Sequence, residues 1–184
     1  SGTDLPVPGD YSGDGTTDAA IFRGDTGLWA VRGFTRAYFG LEADVPVPRD
    51  YNGDGKADFA IYRGSAGLWA IRGDSRFYFG SAADIPVPGY YTGGQAHPAI
   101  YRPSTKLWAL RGLSRFYFGE LSSDIPVPGD YSGTGDWQAA LFSYSGGLWA
   151  IRGVTRTAFG DYGYNPVPGK YEGNDVDRVG VFKG

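Results

Sequence analysis

Residues 41–80 read LEADVPVPRDYNGDGKADFAIYRGSAGLWAIRGDSRFYFG, and the rest of the chain repeats this stretch with small changes. Pro-Val-Pro returns five times at a spacing of 40 residues, beginning at Pro6, Pro46, Pro86, Pro126 and Pro166. Periods of this size are typical of repeat architectures, because one supersecondary unit buries its apolar faces only by stacking on its copies. We therefore predict a single domain over 1–184, with repeats at 1–40, 41–80, 81–119, 120–160 and, in part, 161–184.

The composition narrows the classes of partner. A net charge of -3 argues against nucleic acid or an anionic membrane, both of which require a basic face. No apolar run approaches the roughly 20 residues of a membrane span, so we expect no membrane insertion. Cysteine is absent, which excludes disulfides and thiol chemistry. The chain begins at Ser1-Gly2 without methionine, so we expect either the remnant of a tag or an excised fragment, with any native signal peptide lost.

Each repeat predicts four short strands and no helix. In the second repeat, runs of aromatic and β-branched residues closed by Gly, Asp or Ser give Val45–Arg49, Phe59–Arg63, Leu68–Arg72 and Arg76–Phe79. Four strands in about 40 residues is the size of a propeller blade. The fold class is therefore all-β, a β-propeller of four-stranded blades.

The number of strands predicts five blades, the last one incomplete. There are five copies of the Pro-Val-Pro strand and of the strand after it, but only four of the Leu-Trp-Ala strand and of the aromatic-Gly strand. We expect a monomer whose ring closes within one chain, with blade five reduced to two strands. Two alternatives remain open: the chain is a fragment of a longer repeat array, or a partner chain supplies the missing strands.

The repeated apolar and charged residues are interpreted as scaffold. Proline is confined to unpaired sheet edges, so Pro46 and Pro48 place the first strand of the blade at an edge. We expect the repeated tryptophans to pack between blades, with a sugar-stacking platform as the alternative; they are Trp29, Trp69, Trp108 and Trp149. We also expect repeated arginines to pair with the aspartates two residues before Pro-Val-Pro, or to form an anion-binding ring; the arginines are Arg32, Arg72, Arg111, Arg152, Arg36, Arg76, Arg115 and Arg156, and the aspartates Asp4, Asp44, Asp84 and Asp124.

An oxygen-rich loop between the first two strands carries the chemistry. Oxygen ligands at positions 1, 3, 5 and 9, a carbonyl at position 7 and Gly at position 6 are how a short loop wraps Ca²⁺. In the first repeat the candidate ligands are Asp10, Ser12, Asp14, Thr16 and Asp18; in the second they are Asp50, Asn52, Asp54, Lys56 and Asp58. Because the carboxylates would repel one another without a cation, Ca²⁺ is favoured over metal-free Asp-Gly turns, which remain the alternative.

The other three loops depart from the pattern. The third, with Tyr90, Thr92, Gly94 and His97, has no carboxylate, and we interpret His97 as a surface substituent. The fourth keeps Asp130, Ser132 and Thr134, but Gln138 stands at position 9 and Asp136 at position 7, so its metal binding stays open. In the fifth, two cations are expected to replace the metal; its residues are Lys170, Glu172, Asn174 and Arg178.

The loop and the strands around it resemble the FG-GAP/VCBS repeats of integrin α-subunit propellers and of bacterial surface proteins. The pattern Asp-x-Asn-x-Asp-Gly-x-x-Asp at 50–58 carries the resemblance, and Ile-Tyr-Arg-Pro-Ser-Thr at 100–105 is similar to the bacterial branch. The resemblance implies a β-propeller with Ca²⁺ in the loops at 10–18 and 50–58, and a secreted or cell-surface location. It implies no single activity, because such repeats serve in adhesion, in ligand binding and as appendages of enzymes.

Two functions follow from these observations. The first is a non-enzymatic, calcium-stabilised scaffold or binding module, whose protein or glycan ligand the sequence does not identify. The second is a carbohydrate-binding propeller whose ligand aromatics lie where the later repeats diverge: Tyr131, Trp137, Tyr144, Tyr162 and Tyr164. An enzyme, or the appendage of one such as a glycosidase, is the remote alternative, since two carboxylates a few ångströms apart suffice for glycoside hydrolysis.

Overall fold

The computed structural model describes residues 4–171 and 175–183, which are all-β apart from one 3-10 turn at Gly64–Ala66. The chain divides into two compact units, 1–83 and 84–184. The first unit holds two four-stranded antiparallel sheets; the second holds two more and a two-stranded sheet. The described part of the chain contains no helix with the length and apolarity of a membrane span.

The four-stranded sheets, here called blades one to four, follow the repeats. Blade one consists of β1 (Asp4–Pro6), β2 (Ala20–Arg23), β3 (Leu28–Val31) and β4 (Thr35–Tyr38). Blade two consists of β5 (Val45–Pro46), β6 (Ala60–Arg63), β7 (Leu68–Ile71) and β8 (Arg76–Tyr78). Blade three consists of β9 (Ile85–Pro86), β10 (Ala99–Arg102), β11 (Leu107–Leu110) and β12 (Ser114–Tyr117). Blade four consists of β13 (Ile125–Pro126), β14 (Ala140–Ser143), β15 (Leu148–Ile151) and β16 (Thr155–Ala158). The half-blade pairs β17 (Tyr164–Pro166) with β18 (Val181–Lys183).

The strands of each blade lie side by side in chain order, and all pairs are antiparallel. This is the strand order of a β-propeller blade, so the all-β, propeller-type architecture is confirmed at the level of the individual sheets.

The Pro-Val-Pro strand lies at the edge of its sheet, as predicted. In blade two, β5 pairs with β6 and lies at one end of the strand order. The N–H of Val47, between the two prolines, donates to the carbonyl of Ala60 at 2.8 Å. The regular ladder covers only Val45–Pro46 rather than the predicted Val45–Arg49, and the pairing resumes at the isolated antiparallel bridge between Arg49 and Asp58.

The repeated tryptophans form the core. All four have 0% exposure, and each indole N–H donates to a backbone carbonyl ten residues later, at 2.8–3.1 Å. In the first unit the ring of Trp29 in blade one lies 5.0 Å from Phe22 and 5.1 Å from Phe59, which precedes β6 of blade two. Packing between blades is therefore confirmed for Trp29, and the sugar-platform alternative is wrong for these buried indoles.

The expected closed five-bladed ring is not supported. The structure has four complete blades, and the fifth repeat contributes the two-stranded half-blade. In blade one, Ile21 is partly exposed, although its equivalent in blade two, Ile61, is 2% exposed. In the half-blade, Phe182 is 60% exposed, although the equivalent Phe142 of blade four is fully buried. These end faces of the described chain are thus less covered than the internal ones.

Candidate functional site

The ten predicted calcium ligands lie in two loops of the first unit, at 10–18 between β1 and β2 and at 50–58 between β5 and β6. The base of the first loop is closed by the antiparallel bridge between Gly9 and Asp18. Tyr11, at its second position, is buried, and its hydroxyl donates to the carbonyl of Val7 at 2.8 Å. Tyr51 does the same in the second loop. The aromatic anchor and the strand pairing therefore hold both ends of each loop.

The aspartate at position 1 organises the turn of the loop. In the first loop, Asp10 accepts the N–H groups of Gly13 at 2.7 Å, Asp14 at 3.2 Å and Gly15 at 2.8 Å. Gly15 has φ +83°, a left-handed conformation that glycine adopts without strain. Burial acts to raise the pKa of Asp10, but the three N–H donors outweigh it and hold the pKa below its usual value. Asp50 accepts the three corresponding N–H groups in the second loop.

The aspartate at position 9 closes the loop and interacts electrostatically with the other carboxylates. Asp58 accepts the N–H of Tyr51 at 3.0 Å and the side-chain amide of Asn52 at 3.2 Å. Burial raises the pKa of Asp58, and the nearby charges of Asp54 and Asp50 raise it further, against the lowering effect of the Tyr51 bond. Negative charge is therefore crowded in the second loop. In the first loop, Asp18 likewise holds two backbone N–H groups, at 2.9 and 3.0 Å.

The donor chemistry of these loops fits Ca²⁺, which takes carboxylate, hydroxyl and carbonyl oxygens. The side chains do not form a complete metal site, since nowhere in 4–171 and 175–183 do three acidic, histidine or cysteine side chains come close enough together to hold a metal ion. The carboxylates of positions 1 and 9 hold backbone N–H groups instead. An ionised carboxylate has about four lone-pair sites, so a bound cation would share these oxygens with the N–H donors.

The fourth loop has the same turn but a different closure. Asp130 accepts three backbone N–H groups, as Asp10 does, and they outweigh the effect of burial and lower its pKa. At position 9 the carbonyl oxygen of Gln138 accepts the N–H groups of Tyr131 and Ser132, which are held by a carboxylate in the first loop. The amide nitrogen of Gln138 then donates to the Ser132 hydroxyl at 2.9 Å and to the Asp136 carbonyl. Thr134 bonds the same hydroxyl. N–H donors thus occupy oxygens that a cation would need.

The third and fifth loops depart from the carboxylate pattern in the residues that the structure describes. His97 of the third loop is half-buried rather than the expected surface substituent, and its Nδ1 is buried without a hydrogen-bond partner in the described structure. Burial lowers the pKa of His97. In the fifth loop Lys170 forms a 3.1 Å ion pair with Asp175. Residues 172–174, with the predicted Glu172 and Asn174, lie outside the described residues.

Four of the five candidate sugar-binding aromatics are engaged in packing or in intramolecular contacts. Tyr131 is 7% exposed and anchors its loop, and Trp137 packs edge-on against Tyr90 with a centroid distance of 5.6 Å. Tyr144 packs on Phe142 and donates to Asn165, while Tyr164 lies 5.6 Å from the ammonium of Lys183; Tyr162 is 84% exposed. The sequence reasoning missed three more exposed tyrosines, whose signal was their recurrence before Phe-Gly: Tyr38, Tyr78 and Tyr117.

Carboxylate–arginine pairs repeat as expected, but with other arginines. Asp44, whose side chain is fully buried, receives two N–H bonds from Arg63 at 2.7 and 2.8 Å. Asp4 pairs in the same way with Arg23, and Asp84 with Arg102. The predicted choice of arginines was wrong, because antiparallel pairing of the first two strands places Asp4 directly opposite Arg23. Arg156, one of the predicted arginines, instead pairs with Glu120 at the surface.

Comparison of the chain with family models, with curated proteins and with solved structures gave no match. The candidate site is therefore described by its own residues: two carboxylate-rich loops, the fourth loop closed by the amide of Gln138, and three Asp–Arg pairs, of which Asp44 and Asp84 have fully buried side chains.

Proposed function

We propose that the protein is a non-enzymatic scaffold or binding module whose loops at 10–18 and 50–58 bind Ca²⁺, in the manner of FG-GAP/VCBS repeats, on a secreted or cell-surface protein. The observation that carries the proposal is the geometry of the second loop, where the Arg49–Asp58 bridge and the N–H bonds to Asp50 and Asp58 hold these carboxylates in one short turn with Asp54. The charges of Asp50 and Asp54 accordingly raise the pKa of Asp58. A cation supplied to this loop relieves the repulsion.

The residues proposed to hold Ca²⁺ are the carboxylates at positions 1, 5 and 9, with the polar group at position 3 and the carbonyl at position 7. Ca²⁺ supplies no reaction here; it neutralises the loop and ties the two inner strands of the blade together. A cation that binds only the folded state stabilises it by about 2.7 kcal/mol per site at 100 times the dissociation constant.

The fourth loop supports the proposal as an internal comparison. Its turn at Asp130 repeats that of Asp10, yet Gln138 replaces the last carboxylate with a neutral amide that still accepts two N–H groups. The same loop shape is therefore compatible with a neutral side chain at position 9. We infer that the carboxylates Asp18 and Asp58 serve the cation rather than the shape of the turn.

A role without catalysis is supported by how the buried carboxylates are used. Asp44 and Asp84 hold arginines, and Asp50 and Asp130 hold backbone N–H groups of their loops. Each of these contacts is repeated in another blade, as expected of scaffold residues. A panel of glycosides, esters and peptides tests this part: turnover that survives purification and is abolished by one carboxylate substitution would overturn it.

The test of calcium binding replaces the aspartate at position 9 with glutamine, the residue that the fourth loop has at that position. Asp58→Gln copies position 9 of the fourth loop, so the turn is retained while one carboxylate is lost. We expect Ca²⁺ to raise the melting temperature of the wild type over that in chelator, and to raise it less in Asp58→Gln. Glu42→Gln, at an exposed glutamate outside the loop whose charge does not act on Asp58, is the control and keeps the full response. Equal melting temperatures with Ca²⁺ and with chelator in the wild type would contradict the proposal.

Carbohydrate binding is the second candidate, and the three exposed tyrosines on the outermost strands favour it. Tyr38, Tyr78 and Tyr117 are 72–76% exposed and stand at equivalent positions of three blades. An exposed ring offers an apolar face with a polar tip, which suits a sugar ring. A glycan array read with Ca²⁺ and with chelator tests this candidate: no signal, or a signal unchanged in Tyr78→Ala and Tyr117→Ala, would remove it.

A further inference from the structure

One blade has lost the arginine that its buried aspartate holds elsewhere. Asp124 of blade four is the equivalent of Asp44, and Ser143 stands where Arg63 stands in blade two. As Asp44 does with Leu41, Asp124 accepts the N–H of Leu121 through Oδ2, at 2.9 Å, and it also accepts that of Glu120 at 3.1 Å. The local bend is thus retained, and only the cation is missing.

The missing cation leaves a buried oxygen without a partner. Asp124 is 6% exposed, and its Oδ1 is buried with no hydrogen-bond partner among the described residues. An unpaired buried acceptor is unfavourable, and an unpaired buried charge is more so. Most such groups in folded proteins are satisfied by protein or by ordered water. In the described part of the chain this oxygen has neither an arginine nor the hydroxyl of Tyr101, which is near enough for the Asp124 charge to act on it but is itself buried without a partner, so the oxygen is open to a further donor.

A cavity of about 150 Å³ adjoins this aspartate. A cavity needs only about 10–15 Å³ to hold one water, so this one has room for a larger polar group. Asp124, Ser143 and Ser145 supply polar atoms, and Leu141 and Ala150 supply apolar wall. The one arginine that lines it is engaged with Glu120 at 2.6 Å and is more than half exposed, so it leaves the carboxylate of Asp124 uncompensated.

We propose that this cavity binds a guanidinium group, with Asp124 as its anionic partner and the two serine hydroxyls as further acceptors. The equivalent aspartates of the other three blades each bind a guanidinium group. In each of them, Nε and Nη2 of one arginine donate to the two carboxylate oxygens at 2.6–2.9 Å. Guanidinium suits such a site better than ammonium, because its planar fork bonds both oxygens and its faces tolerate apolar walls. The group is carried by a small guanidinium compound or by an arginine side chain of a peptide, and the proposal is independent of calcium.

The experiment titrates the full chain with methylguanidinium chloride at millimolar concentration, well below denaturing levels, and follows amide shifts by nuclear magnetic resonance. Methylammonium chloride at equal ionic strength is the control ligand. We expect saturable shifts around Ser143 and Asp124 with methylguanidinium, and at least tenfold weaker binding of methylammonium. A capped Gly-Arg-Gly peptide forms the second arm: binding as tight as that of methylguanidinium assigns the site to a peptide arginine, and weaker binding assigns it to a small compound.

Two variants make the test specific. Ser143→Arg supplies the arginine that the other blades contain, so we expect it to fold, to melt at a higher temperature and to lose the methylguanidinium shifts. Asp124→Asn removes the anion and should weaken binding at least tenfold. Shifts of equal size in the wild type and in Ser143→Arg, absence of saturation with both guanidinium probes, or equal affinity for methylammonium would each overturn the proposal.

Discussion

The Asp44–Arg63 pair of blade two is predicted to be a large single contribution to stability. Replacing Arg63 with serine copies the residue that blade four has at this position, and it removes both N–H donors from a fully buried carboxylate. Breaking a buried ion pair by removing one partner costs about 3–5 kcal/mol, because the other charge is left uncompensated. The lower end, about 3 kcal/mol, applies here, since Asp44 keeps the N–H of Leu41 at 2.8 Å.

Urea unfolding followed by tryptophan fluorescence measures this effect. With a urea slope of about 2 kcal/mol/M, the midpoint of Arg63→Ser should fall by about 1.5 M relative to the wild type. Arg72→Ser is the matched control, because Arg72 recurs in the repeats but is exposed, and it should change the free energy of unfolding by no more than about 0.5 kcal/mol. A midpoint shift in Arg63→Ser no larger than that in Arg72→Ser would refute the reasoning.

Three further predictions concern titration and packing. Burial, with the nearby charge of Asp124, raises the pKa of Tyr101 to about 12. The contribution of this phenol to stability is therefore full below about pH 10 and is lost as the pH rises through about 12. Absorbance at 295 nm should show Tyr101 ionising at higher pH than the exposed tyrosines. Burial lowers the pKa of His97. The contribution of the neutral imidazole to stability is therefore full above about pH 6.5 and is lost as the pH falls through the pKa of His97 in the folded protein. Between pH 7.5 and pH 5, the urea midpoint of the wild type should fall more than that of His97→Gln. Gly89→Ala would place Cβ 2.6 Å from the Trp137 ring and should cost about 1–3 kcal/mol by calorimetry, whereas Gly9→Ala, whose Cβ meets a methyl group at 3.1 Å, should cost less.

The strands were predictable because each is marked by local composition. In blade two the predicted Phe59–Arg63 and Leu68–Arg72 differ from the observed Ala60–Arg63 and Leu68–Ile71 by one residue each. The alternation of prolines at Pro46 and Pro48 was sufficient to place the first strand at an edge. Both signals act within a few residues, where steric and hydrogen-bonding rules are strict.

The partners of the repeated charges were not predictable from recurrence alone. The arginines that hold Asp4, Asp44 and Asp84 recur only three times, because Ser143 breaks the series in blade four, whereas the arginines after Leu-Trp-Ala recur four times and were favoured for that reason. The register of the first hairpin decides the pairing, and register is a property of two strands together. For the same reason, exposure did not follow from divergence: Trp137 departs from the repeat, yet it packs between two loops.

Calcium stoichiometry tests the central claim most directly. Isothermal titration of the full chain, first depleted of metal by chelator, gives the number of Ca²⁺ ions bound. We predict two sites per chain, one in each loop at 10–18 and 50–58, and one site in either Asp18→Gln or Asp58→Gln. No calcium-dependent heat in the wild type, or a stoichiometry that neither substitution changes, would contradict the account.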